Sequence, residues 1–140
     1  MKKLFFLSLL ILSSCSNNSD FKLSASSDIS DGEMVYLVQY KENIPVLKDS
    51  ASVVKGNFTF SDSILVPEMH YIFFKNIKGN IPVILEPGNI NITVYKDSLR
   101  STKINGTKSN DDFKVYIDCL LYTSDAADEG LGVDLGGRRI

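Results

Sequence analysis

The 140-residue sequence has no tryptophan, one histidine and two cysteines. The cysteines stand at positions 15 and 119, so no Cys-x-x-Cys pair, zinc cluster or disulfide framework can be built. A single histidine, His70, offers no paired imidazoles. No excess of one charge exists either: the formal net charge is −2, which gives no electrostatic reason to expect nucleic acid. No apolar run approaches the ~20 residues that span a bilayer. What remains is 44% hydrophobic and 23% charged, with eight Phe and six Tyr. That balance suits one globular, β-rich domain rather than a disordered chain.

The N-terminus carries the clearest signal. Lys2 and Lys3 are followed by a short apolar run at 4–12, LFFLSLLIL. A positive start and an apolar core of this length make a secretory signal, residues 1–14. Leu12-Ser13-Ser14-Cys15 resembles the bacterial lipobox. That resemblance implies cleavage before Cys15 and a lipid on its thiol, whose acyl chains replace the removed segment as the membrane anchor. Residues 15–20 then form a lipidated, polar tether. Ser16 supplies no acidic retention signal. The expected location is therefore the cell envelope, lipid-anchored at the outer membrane and facing the periplasm or the surface.

Residues 119–140 (CLLYTSDAADEGLGVDLGGRRI) resemble one reading frame of a transposon-based sequencing-library adapter. The first eleven residues are similar to the transposon end and its linker, and VDLGGRRI is similar to the outer flow-cell primer. The resemblance implies that 119–140 is an artefact, expected to be disordered, and that the native frame continues past Asp118. It also sets aside several suggestive groups: glycines 130, 132, 136 and 137, the acids Asp125, Asp128 and Glu129, the pair Arg138-Arg139, and Cys119 as a redox partner of Cys15.

Between these ends, short apolar segments recur between turn residues. This pattern predicts an all-β fold, a small antiparallel β-sandwich of seven to eight strands over residues 21–108. Expected strands fall at 21–26, 34–40, 45–54, 57–61, 70–76, 81–85, 90–95 and 102–105. The 34–40 segment, MVYLVQY, is apolar on both faces and reads as a central strand. In NFTFS, Phe58 and Phe60 face in and Thr59 faces out. Pro82, near the start of its strand, is tolerable because an edge or first position needs no amide donor. Asp31-Gly32, Lys55-Gly56-Asn57, Lys78-Gly79-Asn80 and Glu86-Pro87-Gly88-Asn89 read as turns. The period then changes. Ser109 or Asn110 can cap a helix, Asp111 and Asp112 suit its first turn, and Phe113, Tyr116 and Ile117 share one helical face. Residues 109–118 are thus the start of a truncated helix.

Several of these residues together resemble a known family. They are Asp31-Gly32 with Val35-Tyr36-Leu37, Asp49-Ser50-Ala51, Gly56-x-Phe58-x-Phe60, Tyr71, Leu85-Glu86-Pro87-Gly88, and Gly106-Thr107 with Asn110-Asp111 and Phe113. The pattern is similar to the lipoprotein-associated β domain of unknown function that precedes thioredoxin-like domains in Gram-negative lipoproteins. The resemblance implies a parent thiol-disulfide oxidoreductase whose Cys-x-x-Cys pair lies in a following domain. No such pair is in this chain.

No catalytic, cofactor-binding or metal residues are therefore expected, and no cofactor; Cys15 is the one modification site. His70 reads as a structural histidine in an apolar strand, and Asp49-Ser50 as a side-chain-to-backbone turn rather than a nucleophile pair. Glu86 reads as a solvated turn residue. Asn57, Asn91 and Asn105 begin glycosylation-like triplets but read as strand and turn residues. Tyr36, Tyr40, Tyr71 and Tyr95 suit either a core or a sugar- or peptide-binding surface. Two roles follow: a non-catalytic accessory module for a downstream thioredoxin-like domain, or a stand-alone glycan- or peptide-binding lipoprotein. The partners expected are the membrane, through Cys15, and that downstream domain.

Overall fold

The computed structural model describes residues 19–129, with 123–129 given by backbone alone. The signal segment, Cys15 and most of its tether, and residues 130–140 lie outside the described residues. Eight strands follow in order: β1 (Asp20–Ser27), β2 (Met34–Lys41), β3 (Ile44–Ser52), β4 (Asn57–Ser63), β5 (Glu68–Phe74), β6 (Asn80–Leu85), β7 (Gly88–Val94) and β8 (Lys103–Asn105). A 3-10 turn, Leu99–Ser101, precedes β8, and one helix, α1 (Lys108–Glu129), follows it.

The strands form two four-stranded sheets packed as a sandwich, in the orders β4-β1-β7-β8 and β3-β2-β5-β6. Period-2 alternation builds the core between them. Phe21, Leu23 and Ala25 of β1 face in, as do Phe58 and Phe60 of β4, Ile72 and Phe74 of β5, and Ile90, Ile92 and Val94 of β7. Each of these apart from Ala25 contributes roughly 1.5–3 kcal/mol when fully buried. Phe58 meets Phe60 and Phe74 edge-on at 6.0 and 5.9 Å between ring centres. As expected, β2 is central and Pro82 lies on an edge strand.

Three expectations change, and one turn appears that the sequence does not signal. The sandwich is not wholly antiparallel, because β1 and β7 pair in parallel, Phe21 opposite Gly88. The long connection that a parallel pair requires is supplied by the chain between them, which passes through β2 and β3 of the other sheet, β4 of their own, and then β5 and β6. Second, the chain reverses between β2 and β3 through Glu42 and Asn43, both at positive φ (51° and 65°), a two-residue hairpin turn that carries no Asn-Gly signal. Third, α1 runs on through 119–129, where disorder was expected. That stretch holds no proline and no glycine before 130, so nothing local stops a helix already begun. Cys119, Leu120, Leu121 and Tyr122 nonetheless stay exposed. Fourth, Tyr116 points outward at 58% exposure; Asn110, Phe113 and, at the margin, Ile117 are the helix positions turned towards the sandwich. Among the described residues no helix is long and apolar enough to cross a membrane.

The outer faces of the two sheets differ sharply. On β4-β1-β7-β8 the outward positions are polar: Thr59 and Ser61, Lys22 and Ser24, Asn91 and Thr93. On β3-β2-β5-β6 they are mostly apolar. Leu47, Val38, Tyr71 and Pro82 form one continuous row across all four strands; in the next, Tyr36 and Phe73 are apolar between the uncharged polar ends Ser50 and Asn80. Tyr40 meets Tyr71 edge-on at 5.3 Å.

Candidate functional site

The densest polar network in the domain lies where α1 leaves the sandwich. Strand β6 is an edge, so alternate backbone groups on its free side lack a strand partner. Pro82 lies on that free side and has no N–H to satisfy. Ile84, two residues on, does. Asn110 supplies the missing strand: the Ile84 N–H donates to Asn110 Oδ1 at 3.0 Å, and Asn110 Nδ2 donates to the Ile84 carbonyl at 2.7 Å. The same amide donates to Thr107 Oγ1 at 2.8 Å. Asn110 is 2% exposed, and all its bonds are internal.

Glu86 closes the other half. Its carboxylate accepts the Ser109 N–H at 2.7 Å and the Ser109 hydroxyl at 2.8 Å. The first turn of α1 is thus capped from outside, by a residue in the β6–β7 turn, and a carboxylate there also suits the helix dipole. This corrects two expectations. Neither Ser109 nor Asn110 is the cap, since both lie inside the helix, and Glu86 is half-buried rather than solvated. Burial pushes the Glu86 carboxyl upward, but the bonds from Ser109 and Thr107 and the charge of Lys108 outweigh it and hold the group below the ordinary 4.5. Gly88 lies beneath Thr107, and Gly106 lies against the Asn89 backbone. The segments 85–88 and 106–110 therefore lock onto each other.

A second place collects titratable groups. A cleft of about 430 Å³ opens between the sheets, floored by Phe21, Leu37 and Leu85 and rimmed by Lys48, Asp49, Asp62 and Glu68. His70 lines it and is 1% exposed. Its Nδ1 meets the Glu68 backbone carbonyl at 3.2 Å. Among the described residues no hydrogen bond joins His70 to a serine or a carboxylate side chain. Asp49 accepts the Ser50 N–H at 2.7 Å, a local turn bond. Among the described residues no three His, Cys, Asp or Glu gather as a metal site.

The sequence profile of DUF4369, a domain of unknown function, matches residues 21–113, well over half of the chain. The chain belongs to the DUF4369 family. No curated protein matches it. The DUF4369 match opens in β1 and closes at Phe113, so it takes in both halves of the clamp, Glu86 and Asn110. Of the four DUF4369 tyrosines singled out by sequence, none is buried. Tyr36 and Tyr71 are half-buried on the apolar outer face, Tyr40 is exposed there, and Tyr95 is exposed in the loop after β7.

Acid is expected to destabilise this domain in two steps. Burial, the largest influence on His70, holds its imidazole below the ordinary 6.5 against the opposing pull of Glu68. The folded state therefore favours neutral His70. Its contribution is complete above about 6.5 and is lost as pH falls from there towards the lower folded value. Glu86 is also depressed, so its contribution is present above about 4.5 and is lost as pH falls through its folded value. Glu33, bonded by the Asn76 backbone and side chain, shares this lower step. Urea midpoints against pH should show the upper slope vanish in His70→Gln and the lower one weaken in Glu86→Gln. An unchanged slope just below pH 6.5 in His70→Gln would refute the assignment.

Proposed function

We propose that this DUF4369 domain is a non-catalytic accessory module that holds and aims a following domain near the membrane. The observation that carries the reading is the clamp on α1. The bonded polar groups Glu86, Thr107, Ser109 and Asn110 fix the angle at which the chain leaves the sandwich, and although Asn110 also lines the groove under α1, its amide is taken up by Ile84 and Thr107. A rigid exit matters only if something beyond it must be positioned. The resemblance to lipoprotein-associated domains makes that something a thioredoxin-like thiol-disulfide oxidoreductase, and makes Cys15 the lipid anchor at the outer membrane. The catalytic thiols then belong to the following domain, and the module adds no bond-making chemistry of its own.

The test is the native gene read past the codon for Asp118. A frame that continues into a domain carrying Cys-x-x-Cys is the expected result. A stop codon soon after the helix would end the reading. That outcome would favour a second role, a stand-alone lipoprotein binding a glycan or peptide. One observation speaks for it: Tyr40, at 46% exposure, and its partner Tyr71 sit on an uncharged, aromatic sheet face.

A further inference from the structure

We infer that the outer face of the β3-β2-β5-β6 sheet is a docking surface, and that its occupant is an apolar, uncharged face of the domain that follows α1 in the same chain. The inference rests on the accessory reading above and adds a surface to it. A solvated sheet face alternates polar residues outward, and the opposite sheet of this sandwich does so. Here the row Leu47–Val38–Tyr71–Pro82 and its neighbours Tyr36 and Phe73 carry no charge at all. Leu47 is 58% exposed. An apolar patch of this kind marks an interaction site.

Size and position choose the occupant. Four strands spaced ~4.8 Å apart and about seven residues long present roughly 450 Å². Two such faces bury about 900 Å², less than the ~1,200 Å² at which stable complexes between separate chains begin. The same area falls within the 600–1,500 Å² of interfaces between domains of one chain, where the tether removes most of the cost of association. The face also continues into an existing interface. Pro82 ends the apolar row and at the same time walls the groove under α1, opposite Phe113 and Ile117. The first turns of α1 therefore run along the border of this face.

Hydroxyl-radical footprinting of the full-length native protein against this 140-residue chain decides the matter. Met34, Met69 and Tyr40 report on the face, and Tyr95 serves as a reference outside it. Labelling of the three should fall at least threefold in the full-length protein while Tyr95 stays constant. Leu47→Lys, at an exposed position, should restore labelling in the full-length protein without changing that of the shorter chain. Equal labelling in both proteins would overturn the docking while leaving the accessory role intact. A gene that stops after α1 would overturn both. Protection that appears in the 140-residue chain and grows with concentration would assign the face to a second copy and overturn the inference.

Discussion

Asn110→Leu is expected to destabilise the domain by about 3 kcal/mol, although leucine is close to asparagine in size and a better helix former. The helix position alone would favour the change. The loss comes from strand β6. Without the amide, the Ile84 N–H and carbonyl lose the partners that Asn110 supplies at 3.0 and 2.7 Å, and Thr107 Oγ1 loses its donor. A buried backbone group left unpaired costs roughly 1–3 kcal/mol, and leucine also keeps out the water that would otherwise repair it. Asn110→Ala leaves room for that water and should cost less. For a domain of this size 1 kcal/mol shifts the melting temperature by roughly 4–8 °C, so Asn110→Leu should melt roughly 12–24 °C lower. Thermal unfolding of the two variants checks both the size and the order. A leucine variant as stable as the parent, or more stable than the alanine variant, would show that Asn110 does not serve as the missing strand.

How much of this was legible in the sequence depends on how local each cause is. The in–out alternation of Phe58, Thr59 and Phe60 is a property of three adjacent residues, and it was readable. The turn at Glu86-Pro87-Gly88 was readable for the same reason. The role of Glu86 was not. Its partner Ser109 lies 23 residues away, and the pairing exists only because β7 and β8 bring the two together. Asn110 looked like a cap because asparagine at a helix start usually bonds its own backbone. Here its amide is used up by Ile84, 26 residues back. The apolar outward residues of β2 were visible as a segment apolar on both faces, and central burial accounted for them. Centrality within a sheet explains only the inner face and the strand edges; it says nothing of what covers the outer one. The parallel β1–β7 pair was hidden because a strand's alternation names its faces and never its neighbour.

Gly106→Ala should cost about 4 kcal/mol, and the reason is position rather than lost flexibility alone. Gly106 sits at φ 105°, a conformation that a side chain strains. A Cβ placed there would lie 2.4 Å from the Asn89 carbonyl oxygen and 3.1 Å from Asn91 Nδ2. The oxygen is backbone in β7, where Asn89 is paired with Lys22 of β1, so it cannot swing away as a side-chain tip would. Something larger must move, and the element free to do so is the link from β8 into α1, which carries Thr107 and Asn110. Gly32→Ala separates the two effects. Gly32 also has positive φ, 85°, but its Cβ would meet nothing within 4 Å. That variant bears only the conformational cost of roughly 1–2 kcal/mol. Urea unfolding of the pair should therefore differ by about 2–3 kcal/mol. The Gly106→Ala protein should also lose hydrogen-exchange protection at the Ile84 amide, because the clamp is displaced with its base. Equal destabilisation of the two variants, with Ile84 still protected, would mean that the close approach of segments 106–110 and 85–89 does not hold α1 in place.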